Sequence, residues 1–219
     1  MAAYELEECW QLLRQSLHSV SYETLAHLPS YSKWLSQQDW TPAYMRHRKN
    51  LQLIGLNDAD KRWVLKNPSH LFALDALMET YPDALVIQTH RPVETIMASM
   101  CSLAQHTTDG WSTKFVGNQI GSDAMETWSR GLEQFNTARA KYNRDQFCDV
   151  DYRELIADPI GTVADIYRKF DIPLTDQARQ AMEDSHAESQ SGERAPKHKY
   201  SLADYGLTAE AVKERFAGL

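Results

Sequence analysis

The sequence is short of glycine, and none of its nine glycines comes before Gly55 in a chain of 219 residues. Loops that bind phosphates through backbone amides need glycine to bring the chain close to the ligand. The residues before Gly55 therefore contain no glycine-rich loop of this kind. Cysteine is equally scarce, with three residues and no CxxC pair, which argues against a disulfide framework and is typical of reduced thiols. We expect a cytoplasmic protein.

The sequence also lacks the patterns of a metal site, a membrane protein and a nucleic-acid binder. The histidines and cysteines do not stand at the spacing of zinc ligands, so no metal site is predicted. No apolar run approaches the roughly 18–20 residues of a transmembrane helix, and the acidic start lacks the features of a signal peptide. The net charge of −7 argues against a general nucleic-acid binder. The expected partner is a small molecule, and an anionic one would need local positive side chains.

The apolar pattern predicts one domain over residues 1–219, built in three parts. Residues 1–60 carry apolar side chains at helical spacing and form a helical segment. Residues 61–182 alternate strands and helices and form an α/β core, whereas 183–219 form a polar flap and a final helix. This alternation favours a parallel sheet flanked by helices. Such sheets bind ligands at the carboxyl ends of their strands.

Short apolar runs and turn residues locate the elements of the core. Asn67 and Asp158 each precede a proline, and each is predicted to cap a helix. A long helix is expected over 123–142, preceded by a polar loop over 105–118. Strands are expected at 63–66, 84–89 and 147–150.

Each predicted strand ends on residues that suit an anion site. Arg91 stands directly before a helix N-terminus, where a cation and backbone amides together favour negative charge. Because the carboxyl ends of parallel strands share one edge, the groups at all three ends are expected to converge. They suit the binding of phosphates and an aromatic base, and the transfer of a proton. They are Lys66 and His70; His90 and Arg91, with Ser99 eight residues later; and Asp149, Asp151 and Tyr152.

Four sequence motifs stand in a fixed order along the chain: WVLKNPSH (Trp63–His70), THRPVETIMASMCSL (Thr89–Leu103), DVDYRELIADPIGTVADIYRKF (Asp149–Phe170) and HKYSLADYGL (His198–Leu207). Together these words resemble a known family, the sulfotransferases that use 3′-phosphoadenosine 5′-phosphosulfate (PAPS), and in particular their bacterial, mycobacterial-type branch. The resemblance covers nearly the whole chain, and the order of the four words makes it specific. It implies a sulfotransferase fold similar to that of the P-loop NTPases.

The resemblance also implies roles for single residues. Arg91 and Ser99 match an R-x7-S pattern that holds the 3′-phosphate of the cofactor, and Tyr152 matches a tyrosine that lies near its adenine. His70 matches the catalytic base, with Lys66 as a stabiliser of charge. Lys197 and Lys199 match a flap over the 3′-phosphate. The implied reaction transfers a sulfuryl group from PAPS to a hydroxyl or amine of a small acceptor, releases 3′-phosphoadenosine 5′-phosphate (PAP) and needs no metal.

The chain departs from the family at one motif. Family members carry a P-[RK]-S-G-T-[TS] loop that cradles the 5′-phosphosulfate, and this sequence has neither that motif nor a convincing strand before Trp63. The expectation is an N-terminally incomplete fold, arising from a truncated gene, a misplaced start or trimming. An exposed flank of the sheet would favour association, and a homodimer is expected.

Structural interpretations of the same residues remain open. His70 also suits a cap or a packing role, Lys66 suits a surface ion pair, and Arg91 could pair with Glu94. Tyr152 is equally suited to packing, and the basic residues at 197–199 to solvation. At the level of the molecule, the alternative to an enzyme is a non-catalytic remnant that binds an adenosine phosphate or a protein partner. The identity of the acceptor cannot be derived from the sequence.

Overall fold

The computed structural model describes residues 7–58, 60–191 and 201–219 as a helix-rich α/β fold. Ten α-helices, two strands and three short 3₁₀ turns lie within these residues. The helices are α1 (Trp10–Arg14), α2 (Pro29–Leu35), α3 (Thr41–Ile54), α4 (Leu74–Thr80), α5 (Val93–Thr108), α6 (Asn118–Arg139), α7 (Tyr152–Ala157), α8 (Pro159–Lys169), α9 (Asp176–Ser191) and α10 (Ala209–Phe216). The strands are β1 (Val86–His90) and β2 (Phe147–Asp151), and the 3₁₀ turns are Pro68–Phe72, Arg144–Gln146 and Leu202–Tyr205.

The two strands pair in parallel, as the alternation of strands and helices predicts. Their register runs from Val86 opposite Phe147 to His90 opposite Asp151, so both strands end at the same edge. From that edge β1 continues into α5 and β2 continues into α7. The expected convergence of the second and third strand ends is therefore confirmed.

The predicted strand at 63–66 is wrong. At the end of this segment, the backbone carbonyl of Lys66 accepts a hydrogen bond from the amide of Cys9 at 3.2 Å. Among the described residues β1 has a single neighbour, β2, so the segment joins no ladder. Its side chains are exposed, with Val64 at 86%. Apolar β-branched residues favour a strand, but a strand also needs a hydrogen-bonded partner, which the local sequence does not specify.

Two helix boundaries differ from the prediction, since α5 extends into the expected loop at 105–118 and α6 spans Asn118–Arg139 rather than 123–142. The polar stretch at 105–118 contains the last turn of α5 and the first residue of α6, and the actual break is short. Gly110 and Gly117 lie in this break and have φ angles of 84° and 50°. Residues other than glycine rarely adopt such positive φ angles. Farther along, α9 occupies part of the segment 183–199 that was expected to form a flap, and its side chains are mostly exposed.

Both predicted caps are confirmed. The side chain of Asn67 accepts a hydrogen bond from the amide of Ser69 at the start of the Pro68–Phe72 turn, and Pro68 takes its first position. The side chain of Asp158 accepts from the amide of Gly161 at 2.9 Å and starts α8. Short polar side chains at these positions satisfy amides that have no partner within the helix.

Helix α6 runs through the centre of the molecule and contributes to two hydrophobic clusters. Trp128 belongs to the larger cluster, between α3, α5 and α10, and Phe135 belongs to a smaller one beneath the sheet. Gly131 lies between them, where a Cβ atom would stand 2.6 Å from the ring of Phe72. The absence of a side chain lets the Pro68–Phe72 turn pack directly on α6. Among the described residues, no helix combines the length and apolar character needed to cross a bilayer.

Candidate functional site

The shared edge of the two strands brings together two of the residues predicted to bind the cofactor. Arg91 follows β1 and Tyr152 opens α7 after β2. The guanidinium carbon of Arg91 lies 4.7 Å from the centroid of the Tyr152 ring, within the range of a cation–π contact. An arginine and an aromatic face therefore stand side by side at the amino end of the 16-residue helix α5. Such a helix end favours a negative charge.

In the described part of the chain, Arg91 has no carboxylate partner. Within the described ranges no ion pair joins Arg91 to an acidic side chain, and Glu94 instead faces Lys213 of α10, 3.4 Å away. Glu94 therefore pairs with Lys213 and not with Arg91. Lys213 adds a second cation beside the start of α5, from a part of the chain more than a hundred residues away in the sequence.

A polar network fixes the geometry of this edge. Arg139 of α6 donates from Nη1 and Nη2 to the two carboxylate oxygens of Asp149, at 2.8 and 2.6 Å, and its Nη1 also donates to Gln88 at 2.6 Å. His90 Nε2 lies 2.7 Å from Asp149 Oδ1. The hydrogen bonds from Arg139, followed by the one from His90, hold the pKa of Asp149 well below its usual range. The network joins β1, β2 and α6 directly beneath the turn that carries Arg91.

Ser99 lies on α5 and is partly buried. It stands six residues beyond Val93, the first residue of the helix, so about 9 Å of helix separates it from the amino end. The role of Ser99 in holding a phosphate stays a prediction.

His70 lies in the Pro68–Phe72 turn and faces the core. Its Nδ1 shares a hydrogen bond of 2.6 Å with the hydroxyl of Tyr44, a fully buried residue of α3. Its Nε2 is buried and has no partner among the described residues. Burial, with a smaller contribution from the nearby ring of His47, lowers the pKa of His70 to about 3. The imidazole is therefore neutral at pH 7 and is a weak base in this arrangement.

A second imidazole–phenol pair lies beside the first. His47 is fully buried, and its Nδ1 lies 2.8 Å from the hydroxyl of Tyr81. The ring centroids of His47 and His70 are 6.2 Å apart and nearly perpendicular. Burial lowers the pKa of His47 to about 4. The four rings form one buried polar cluster, which we call the imidazole–phenol cluster (Tyr44, His47, His70 and Tyr81).

Of the three predicted lysines, only Lys66 lies within the described residues. Lys66 is exposed, and its ammonium contacts the carboxylate of Glu8, which agrees with the interpretation as a surface ion pair. Lys197 and Lys199 lie outside the described residues. Within the part of the chain that is described, no group of three or more histidine, cysteine or acidic side chains is arranged to hold a metal ion. The geometry supports binding of an anion beside an aromatic face.

Comparison with known proteins assigns the chain to a family. The model of a family described as "Sulfotransferase family" matches residues 1–176. The chain belongs to the sulfotransferase family. No curated protein matches it in a search at a stringent threshold.

Two solved sulfotransferase structures resemble this one. The crystal structure of sulfotransferase STF1 from Mycobacterium tuberculosis H37Rv has 78% identity and a TM-score of 0.91, with 100% of this chain and 56% of that chain covered. Sulfotransferase STF9 from Mycobacterium avium has 27% identity and a TM-score of 0.85, covering 96% and 54%. This chain spans about half the length of each.

Sequence reasoning missed two residues that contact a predicted site residue or the start of α5. Tyr44, which contacts His70, lies 26 residues from it in the sequence. Lys213 reaches Glu94 from the last helix. No local motif marks either residue. The helical spacing of α3 and α10 predicts which face of each helix is buried. It does not predict that the hydroxyl of Tyr44 contacts His70 or that the ammonium of Lys213 contacts Glu94.

Proposed function

We propose that this chain provides the 3′-phosphate part of a PAPS site and acts in the transfer of a sulfuryl group to a hydroxyl or amine of a small acceptor. The observation that carries the proposal is the position of Arg91. It lies over the ring of Tyr152, at the amino end of α5, with no acidic partner among the described residues. A guanidinium in that position suits a phosphate, which it can bind through two hydrogen bonds.

The remaining roles follow from the same arrangement. The ring of Tyr152 offers a flat surface for adenine, and the hydroxyl of Ser99 and the flap residues Lys197 and Lys199 are proposed to contact the phosphate. PAPS would supply the activated sulfonate. Positive groups would offset the charge that develops on the sulfonate and on the leaving phosphate, as in phosphoryl transfer. Lys66 is proposed for that role, which requires it to leave Glu8.

His70 is proposed as the base that takes the proton from the acceptor. It is neutral at pH 7, which a base must be. Its free nitrogen, Nε2, is the atom that would accept the proton, because Nδ1 is engaged by Tyr44. The acceptor would therefore have to reach Nε2 through the residues that now bury it.

A second function, binding without catalysis, is favoured by the engagement of both predicted catalytic residues. Lys66 contacts Glu8, and His70 faces the core. In that case Arg91 and Tyr152 would bind an adenosine phosphate while no sulfuryl group is transferred. The activity of the chain, the small-molecule acceptor, the homodimer and the cytoplasmic location all stay proposals.

Thermal unfolding with nucleotides tests the phosphate site. PAP should raise the melting temperature more than AMP does, because only PAP carries the 3′-phosphate, and Arg91→Ala should remove that difference. Arg168→Ala is the matched control, since Arg168 is an exposed arginine that pairs with Asp165 on α8. Equal shifts by the two nucleotides in the unaltered protein would overturn the site.

A transfer assay separates the two functions. With labelled PAPS and a panel of alcohols and amines, the enzyme hypothesis predicts transfer that His70→Ala reduces by at least about 100-fold while the PAP shift persists. A PAP shift without transfer to any acceptor would support the binding function. Full activity of His70→Ala would contradict the base assignment.

A further inference from the structure

A cleft between α2 and α6 lies away from the strand edge. It has a volume of about 320 Å³, at the lower end of the roughly 300–1,000 Å³ typical of small-molecule sites. One wall comes from Glu23 and the residues leading into α2, and the other from the amino-terminal half of α6. The wall contains more polar than apolar side chains, and it includes Glu23, His27, Ser32, Asp123, Thr127 and Arg130.

A histidine–carboxylate pair stands at one end of the cleft. His27 Nδ1 lies 2.7 Å from Asp123 Oδ2, and the amide of Gln119 donates to the other oxygen of Asp123 at 2.8 Å. Nδ1 of His27 also lies 3.0 Å from the side-chain amide nitrogen of Gln119. When Nδ1 donates to the carboxylate, which is the shorter of the two contacts, Nε2 is left as an acceptor. The His27 side chain is 46% exposed, and no hydrogen bond from a described residue reaches Nε2.

A buried ion pair with two unused atoms stands at the other end. Arg130 Nη2 donates to Glu23 Oε1 at 2.8 Å, and the Glu23 side chain is 2% exposed. The second oxygen of Glu23, Oε2, and the Nε of Arg130 are both buried without a described partner. A buried charged group with an unmet hydrogen bond is costly, and both residues line the cleft.

The unmet groups include one acceptor and one donor. A hydroxyl can serve either need, because its hydrogen can be donated to Glu23 Oε2 or its oxygen can accept from Arg130 Nε. Both atoms are buried, so the binding of such a ligand requires the side chain of Glu23 or Arg130 to turn toward the cleft. An ammonium would suit Glu23 but would oppose Arg130 and Lys33, which also lines the cleft. An anion would meet Glu23, Asp123 and Glu126 on the same walls. The balance favours a neutral ligand with several hydroxyl groups.

We propose that the α2–α6 cleft is a binding site for a small polyhydroxylated molecule of about the size of a hexose, recognised by Glu23 with Arg130 and by His27. The site is separate from the strand edge. Along α6, Asp123 is 16 positions from Arg139, which corresponds to about 24 Å of helix, and Arg130 is nine positions from it, about 14 Å. The proposal does not depend on the sulfuryl transfer proposed above.

The test is an NMR titration of the full ¹⁵N-labelled chain with myo-inositol and D-glucose as probes. Ethanolamine serves as the amine comparison and inorganic phosphate as the anion comparison. We expect saturable shifts of the backbone amides at 23–36 and 119–130 with the polyols. His27→Ala and Glu23→Gln should each weaken that binding by roughly tenfold, the loss expected for one hydrogen bond to a charged or oriented group. His106→Ala, which alters an exposed histidine of α5, should not change it.

Three results would overturn the proposal. The first is the absence of saturable shifts with either polyol. The second is stronger binding of ethanolamine or phosphate at the same amides, which would show a site for a charged ligand. The third is equal polyol binding by the His27→Ala and unaltered chains. His27→Ala keeps the test decisive if Glu23→Gln does not fold, because His27 is half exposed and lies outside the buried ion pair.

Discussion

The buried histidines have a consequence for the stability of the protein. His47 and His70 each use Nδ1 in a hydrogen bond to a tyrosine, and each has a buried Nε2 without a described partner. A proton added to either ring would place a charge in the core, next to the other ring. Burial therefore keeps both neutral in the folded state, whereas the same side chains titrate near pH 6.5 in an unfolded chain.

We predict that the free energy of unfolding falls as the pH decreases from about 6.5 to about 4. In this window the unfolded chain binds protons at both histidines and the folded chain does not, so acid favours unfolding. Each histidine adds a slope of at most about 1.4 kcal/mol per pH unit. Urea unfolding at a series of pH values measures the slope. His47→Gln should make it shallower and His106→Gln should leave it unchanged; identical curves for all three proteins would contradict the prediction.

The aromatic face beside Arg91 can be separated from its hydroxyl group. Tyr152→Phe keeps a ring under the guanidinium, whereas Tyr152→Leu removes it together with any stacking surface for adenine. We expect the PAP-induced rise in melting temperature to persist in Tyr152→Phe and to shrink in Tyr152→Leu. A loss of about 1–3 kcal/mol of binding free energy is typical of one stacked base. Equal responses of the two variants would exclude stacking on this ring.

Among the elements, α8 depends on the residue that caps its amino end. Asp158 accepts from the amide of Gly161, and a Cβ on that glycine would clash with the capping carboxylate. Asp158→Ala should lower the free energy of unfolding by about 1 kcal/mol, because amides of the first turn lose their acceptor. Asp165→Ala removes an exposed carboxylate from the same helix and should cost less than about 0.5 kcal/mol. Urea unfolding compares the two, and an equal loss would show that the cap adds nothing.

The elements also show what could be predicted from the sequence. The caps at Asn67 and Asp158 were predictable, because each rests on residues two or three positions apart. The meeting of Arg91 with Tyr152 was predictable from a general rule about the ends of parallel strands. The hydrogen bond between His27 and Asp123 spans 96 residues and has no such rule. The prediction of a strand at 63–66 was wrong for a related reason, because the residues of the segment do not determine whether another strand pairs with it.

At the scale of the molecule, a group of large apolar side chains stands in solvent around the end of α3. We call it the α3-end surface, formed by Leu53, Ile54, Leu56, Trp63 and Val64, which are between 47% and 86% exposed. A Cβ on Gly55 would lie 3.0 Å from the Trp63 ring, so the unpaired segment folds back against the helix end. The ring of Trp63 therefore lies beside the end of α3. Exposed apolar clusters of this kind promote association.

We predict that two copies of the chain associate through the α3-end surface, because the burial of its apolar side chains would remove them from water. Analytical ultracentrifugation over a range of concentrations should show a dimer in equilibrium with a monomer. Val64→Lys should shift this equilibrium toward the monomer, since a charge would be buried at the contact. Ile156→Lys is the matched control, because Ile156 is 61% exposed on α7. A protein that stays monomeric throughout, or a dimer that Ile156→Lys weakens as much as Val64→Lys does, would contradict an interface at this surface.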